Sequence, residues 1–260
     1  MPNQGLDEGE RDPKVFRYEP SGKWVMVLWV RKGQVRFFTS DDLLKWTYAS
    51  DFVGEGFFEC PDIVQVSLDG APGITKWVLY DAAFNYWIGS FDGISFEAES
   101  GPYTGDFGNN FYAAQTWNNL GSRLVQIGWM RGGEYPEMPF NQQMSFPCEL
   151  SLRTTPNGIR LCRMPVGEIS VLYAGSESVN DLTLVPENTQ NVGNYGDLLD
   201  LELKAEVSPE SSFSIRLSGH EIIWSQGCIQ CLDKKADLPP SGNVVSLRIL
   251  ADRTSIEIFG

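Results

Sequence analysis

The chain has 260 residues, of which 42% are hydrophobic and 12% aromatic, so it holds enough apolar mass for a sizeable core and does not read as a disordered polypeptide. Its formal net charge of -14 argues against a nucleic-acid partner, because neutralising phosphates takes clustered Lys and Arg; a neutral substrate fits better. The only histidine, His220, sits in RLSGHEIIW where a turn enters a strand, so acid/base chemistry falls to the carboxylates rather than to a Ser-His-Asp triad.

The N-terminal MPNQGLDEGERDP has no apolar centre of the signal-peptide kind and starts almost on a strand. No stretch approaches the roughly 20 apolar residues needed to cross a bilayer. From there the chain predicts strands, with β-branched and aromatic runs broken by PSGK, KGQ, DGAPG, FDG, NLGS and PNG. Three units share one order of parts. DPKVFRYE, KWVMVLWV and QVRFFTSDDLLKW make the first; ECPDIVQVS, KWVLYDAA and YWIGSFDGISF the second; NNFYAAQTW, RLVQIGWM and QQMSFPCELSLR the third. A period of about 50 residues suits a four-stranded propeller blade. The first strand of a blade lines the axis, so Asp12, Glu59 and the stretch from Asn110 to Tyr112 are expected at equivalent places facing one pocket. Three blades do not close a ring of about 4 to 8. Further blades are therefore expected outside this chain, and the open sheet edges invite self-association.

After Glu168 the repeat stops. ISVLYAG, DLLDLELKAEV, SFSIRLSG, EIIWSQGCIQCL, VVSLRILADR and TSIEIFG predict short antiparallel strands of a β-sandwich. The expected organisation is all-β: residues 1–167 as a partial propeller carrying the catalytic site, and 168–260 as an incomplete sandwich that stops inside a strand. Five cysteines (Cys60, Cys148, Cys162, Cys228 and Cys231) are an odd set for a disulfide framework. The lone CxxC at Cys228 and Cys231 has no second half for zinc, and its spacing places the two thiols on opposite faces of a strand.

Arg11-Asp12-Pro13-Lys14-Val15-Phe16 resembles the RDP motif of glycoside hydrolase family 32, the invertases, levanases and inulinases, and Glu59-Cys60-Pro61-Asp62 resembles its EC motif. FYAAQTW, IGWM, MSFPCELSLRTT and the C-terminal ADRTSIEIFG are similar to later family segments in the same order. The tripeptide alone recurs by chance; the ordered set is specific. The resemblance implies a five-bladed propeller followed by a β-sandwich, and retaining hydrolysis of β-fructofuranosyl linkages in sucrose or fructans such as levan and inulin. In such a mechanism one carboxyl group is the nucleophile and another the acid/base.

By this resemblance Glu59 is the acid/base, a role that calls for a pKa raised by burial or a neighbouring carboxylate. Asp12 stabilises the transition state, Arg11 binds the sugar, Cys60 shapes the surroundings of Glu59, and Tyr112 and Trp129 line the pocket. No metal or organic cofactor is implied. The sequence departs from the family in having no W-[ML]-N-D-P-N-G motif, which carries the nucleophile, so this chain is expected to be inactive alone. An extracellular or periplasmic location is expected if a leader precedes the residues given. The main alternative is a propeller or sandwich module that binds carbohydrate without cleaving it; a protein-binding scaffold and an arabinan-cleaving relative are further ones. Taken singly, Arg11-Asp12-Pro13 is also a turn with a surface ion pair, Glu59 a solvated strand end, and Tyr112 and Trp129 core aromatics.

Overall fold

The structure is a computed structural model describing residues 9–71 and 73–260; most of the N-terminal stretch read above, and Pro72 of the DGAPG turn, lie outside the described residues. The chain is all-β and divides into two compact units, up to Pro165 and from Val166 to Gly260.

In the first unit each of the three sequence units forms one four-stranded antiparallel sheet with its strands in chain order. The first sheet holds β1 (Arg11–Tyr18), β2 (Lys23–Arg31), β3 (Gln34–Ser40) and β4 (Thr47–Val53). The second holds β5 (Asp62–Ser67), β6 (Thr75–Tyr80), β7 (Asn85–Phe91) and β8 (Phe96–Thr104). The third holds β9 (Phe111–Thr116), β10 (Val125–Met130), β11 (Cys148–Thr155) and β12 (Gly158–Pro165).

The period-two alternation of a strand splits the side chains of the second sheet between two cores. Ile63, Leu79, Trp87, Phe91 and Phe96 pack against Val25, Val27, Trp29, Val35 and Phe37 of the first sheet. Their neighbours Val64, Val66, Val78, Tyr80, Tyr86 and Ile88 pack against Ala114, Leu150 and Leu152 of the third. The middle sheet is therefore apolar on both faces, which explains its near-continuous hydrophobic runs. Gly93 closes the turn between β7 and β8 with φ +92°, and the Tyr18 ring lies 2.6 Å from where a Cβ would stand, so only glycine lets the two sheets approach there.

In the second unit, β13 (Leu199–Glu206), β18 (Val244–Ala251) and β19 (Ile256–Phe259) form one sheet, and β14 (Ser212–Leu217), β15 (His220–Ser225), β16 (Cys228–Cys231) and β17 (Lys234–Asp237) another. Leu203, Val245, Leu247 and Ile258 of the first meet Phe213, Ile215, Trp224 and Ile229 of the second in a shared core. One predicted strand is corrected. ISVLYAG falls largely in a 3-10 turn, Gly167–Leu172, closed by bonds such as Ile169 N–H to the Val166 carbonyl. Within that turn only Ile169 is buried, and Val171 and Leu172 are exposed, so the apolar run lacks the alternating burial of a strand.

Candidate active site

Two of the opening strands carry the same irregularity. Arg11 pairs with Trp29 and Lys14 with Val27, so three steps on β1 face two on β2, and the extra residue is a β-bulge. Tyr112 pairs with Trp129 and Gln115 with Ile127, the same three-to-two count on β9 and β10. The bulge residues have left-handed backbone, φ 62° at Asp12 and 50° at Ala113, and just before β5 Glu59 and Cys60 have φ 56° and 42°. Non-glycine residues seldom adopt this conformation, and each instance costs on the order of 1–3 kcal/mol. Its effect is to turn side chains three apart, Arg11 with Lys14 and Glu59 with Asp62, toward the same side.

That geometry brings Arg11, Glu59 and Tyr112 together. Arg11 Nε and Nη2 donate to Glu59 Oε1 at 3.1 and 2.6 Å, and the Tyr112 hydroxyl donates to Oε2 at 2.5 Å. Asp12 Oδ2 accepts from the Cys60 backbone N–H at 3.2 Å and from its thiol at 3.5 Å. Arg11, Asp12 and Lys14 thus meet Glu59, Cys60 and Asp62, each partner 48 positions on. This register refines the sequence reading by one residue: the counterpart of Glu59 is Arg11, and that of Asp12 is Cys60. Arg11 clasps Glu59, while its Nε stays 3.9 Å from Asp12. Trp129 stands edge-on to the Tyr112 ring at 6.4 Å, and its indole N–H donates to Gln142.

The expectation of a raised Glu59 pKa is corrected in this structure. The Tyr112 hydroxyl first, then the Arg11 fork and charge, hold the Glu59 carboxyl below the ordinary carboxylate value, against an opposing contribution from burial. Burial, with the Asp12 carboxylate beside it, pushes the Cys60 thiol up to about 12, so Cys60 is a protonated donor. Burial and the Glu59 contact likewise raise the Tyr112 hydroxyl.

The depressed Glu59 pKa has a sign for stability. The native state takes up the Glu59 proton less readily than the unfolded chain, so its contribution is complete above the ordinary carboxylate value, about 4.3, and is lost as pH falls through the native value. The stability difference between wild type and Glu59→Gln, from urea unfolding, should therefore shrink between pH 6 and pH 3. A difference independent of pH would contradict the clasp.

Sequence reasoning missed several neighbours. Asp81, buried in the β6–β7 turn, accepts backbone N–H groups of Phe58, Ala83 and Asn85, and the Ala82 N–H bonds the Glu59 carbonyl. Burial raises the Asp81 carboxyl. Arg131 lies 4.0 Å over the Tyr112 ring. Beside Tyr112 opens a cleft of about 320 Å³, lined in part by Asn85, Asp106, Asn110 and Arg131. Beneath Arg11 and Glu59, the buried Lys14 ammonium donates to Asp62 and to the Thr116 carbonyl and hydroxyl. The recurring offset of three after each opening residue was the available signal for that lower layer.

Residues 1–165 match the family described as glycosyl hydrolases family 32 N-terminal domain. The chain belongs to glycoside hydrolase family 32. It is 32% identical over 313 aligned positions to a levanase from Bacillus subtilis, an alignment covering 100% of this chain and 46% of the relative. Against invertase 2 of Saccharomyces cerevisiae it is 33% identical, covering 84% of this chain and 47% of the relative. This family 32 chain thus spans about half the length of these curated relatives. An exo-inulinase structure from Aspergillus awamori superposes with a TM-score of 0.79 at 26% identity, covering 96% of this chain and 59% of that one. A fructan 1-exohydrolase from Cichorium intybus in complex with 1-kestose shares the fold, with a TM-score of 0.76 at 20% identity, covering 100% of this chain and 66% of that one.

Proposed function

We propose that this chain is the acid/base-bearing part of a retaining β-fructofuranosidase acting on sucrose or on fructans of the levan or inulin kind. The observation that carries the reading is the clasp on Glu59, with Arg11 on one carboxyl oxygen and Tyr112 on the other, contributed from three successive sheets. In this role Glu59 protonates the leaving oxygen and then removes a proton from the incoming water. Asp12, held by Cys60, accepts fructose hydroxyls and stabilises the developing oxocarbenium ion. Arg11 orients Glu59 and the sugar, while Cys60, Tyr112 and Trp129 form the wall of the site.

The nucleophile is contributed by sequence outside these 260 residues, on a first blade of a five-bladed propeller, and the second unit belongs to a C-terminal sandwich. A second carboxylate arriving beside Glu59, together with water excluded by bound sugar, raises its pKa toward the working range and offsets the clasp. The names of the relatives, one of them an extracellular exo-inulinase, support an extracellular setting, and the exposed sheet edges favour self-association.

The fructoside reading is tested by binding. 1-Kestose added to the 260-residue chain should shift the Glu59 carboxyl carbon and the Trp129 indole resonance in NMR spectra, whereas maltose should shift neither. Equal responses to the two sugars, or none to kestose, would contradict it. Binding that persists in Glu59→Gln is compatible with the alternative of a non-catalytic module, so the two readings separate on turnover by the chain joined to a nucleophile-bearing segment.

A further inference from the structure

The repeat that places Arg11 and Tyr112 also places a tryptophan beside each. Trp29 in VLWV pairs with Arg11 across the β1–β2 bulge, as Trp129 in IGWM pairs with Tyr112 across the β9–β10 bulge. The counterparts differ in burial. Trp129 is half-buried and meets the Tyr112 ring edge-on, whereas Trp29 is 1% exposed and carries the Arg11 guanidinium 4.1 Å from its ring centroid. Phe58, one residue before Glu59, stands edge-on to Trp29 at 5.4 Å and presents its own ring 6.0 Å from the same guanidinium. Arg11 Nη1 donates to the Gly9 carbonyl at 2.8 Å, while Nε and Nη2 lie on Glu59.

We infer that Trp29, assisted by Phe58, is a positioning residue for the acid/base: its indole face fixes the plane of the Arg11 guanidinium so that two N–H groups reach Glu59 Oε1. The inference rests on the reading of Glu59 as acid/base for its consequence, but not for its geometry. Arginine on a flexible stem loses side-chain entropy when it is held in one orientation, and a half-exposed ion pair is worth little unless something fixes that orientation. Here a flat apolar face and a cation–π attraction do so. An aromatic on this face belongs to the site's electrostatics as well as to the core between the first two sheets.

The charged and titratable groups facing Glu59 are Arg11 with Asp12 beside it, Cys60 next in sequence, Tyr112, and Arg131 over the Tyr112 ring. Among these groups in the described residues, it is Arg11 that lies over the Trp29 ring. Removal of Trp29 should therefore act on Glu59 through Arg11 and leave the Tyr112 contact in place.

The test is the Glu59 carboxyl pKa in the 260-residue chain, read by ¹³C NMR titration, together with hydrogen exchange at Arg11 Nε. Trp29→Leu should raise the Glu59 pKa by roughly half a unit to one unit and speed exchange at Arg11 Nε several-fold. In an Arg11→Gln background the same Trp29→Leu change should leave the Glu59 pKa where Arg11→Gln alone puts it. Phe58 is 39% exposed, so Phe58→Leu keeps the fold even if Trp29→Leu does not, and it should move both readouts the same way by a smaller amount. A Glu59 pKa unchanged by Trp29→Leu and Phe58→Leu, or a Trp29→Leu shift that persists without Arg11, would overturn the inference and leave Trp29 a core residue only. That result would leave the fructoside-binding test untouched, so the two proposals fail separately.

Discussion

Asp62→Ala is expected to destabilise the first unit by about 3–5 kcal/mol, the cost of leaving a buried charge without its partner. Asp62 is fully buried, and its Oδ2 accepts from the Lys14 ammonium at 3.3 Å, the Tyr80 hydroxyl at 2.8 Å, and the Thr116 N–H and hydroxyl at 2.6 and 2.8 Å. Those donors come from β1, β6 and β9, so one carboxylate joins all three sheets, three residues on from Glu59. Removing it strands an ammonium whose side chain is 8% exposed. Since whole domains are stable by only about 5–15 kcal/mol, the loss is a large share and should appear as a lowered urea midpoint. The paired change Lys14→Met with Asp62→Leu should recover only the share due to the stranded ammonium, because the Tyr80 hydroxyl and the Thr116 N–H and hydroxyl still lose their acceptor. A cost for Asp62→Ala below about 1 kcal/mol would mean that the sheets are held by their apolar faces alone.

Much of this arrangement is legible in the sequence. The three units and their order follow from the alternation of apolar runs and turn residues, because a strand buried on one or both faces leaves that pattern directly. Arg11, Asp12, Glu59, Cys60 and Tyr112 are found from unit openings and motif, and all of them gather at one place. Sequence alone does not reveal which neighbour each one faces. The bulge adds a residue to β1 and to β9, shifting the register so that Arg11 rather than Asp12 meets Glu59. No residue type announces a left-handed Asp or Ala. Asp62 stands inside the quoted motif, yet its burial under Glu59 depends on β9 arriving with Thr116. Asp81 acts within its own β6–β7 turn and on the backbone of Phe58, Arg131 lies over a ring of its own sheet, and Phe58 meets Trp29 across two sheets; neither the repeat nor a motif marks these three. Trp29 was within reach, because VLWV and IGWM stand at the same place in the first and third units of the repeat, although Trp129 itself came from the family resemblance. The misread ISVLYAG shows the reverse error: an apolar run predicts a strand, but Val171 and Leu172 stay exposed and the run coils.

As 260 residues, the purified chain should release fructose from sucrose, inulin or levan about 10⁴-fold or more slowly than the same chain joined to a nucleophile-bearing N-terminal segment, for example that of the Bacillus subtilis levanase. The physical ground is the division of labour in retaining hydrolysis. One carboxylate attacks the anomeric carbon while the other handles the proton, and neither substitutes for the other. In the chain as given, Glu59 is locked by Arg11 and Tyr112, and its pKa is depressed. Asp12 is engaged by Cys60, and the role proposed for it is to stabilise the transition state rather than to attack. Substantial hydrolysis by the 260 residues alone, lost in Glu59→Gln, would show that a carboxylate already present serves as nucleophile.

The central claim is that Glu59 is the acid/base, and the most direct measurement is the kcat of sucrose hydrolysis by the completed enzyme with and without Glu59→Gln. The expected result is a fall of about 10³-fold or more, with KM changed only a few-fold. A Glu59→Gln enzyme turning over within tenfold of its parent would contradict it.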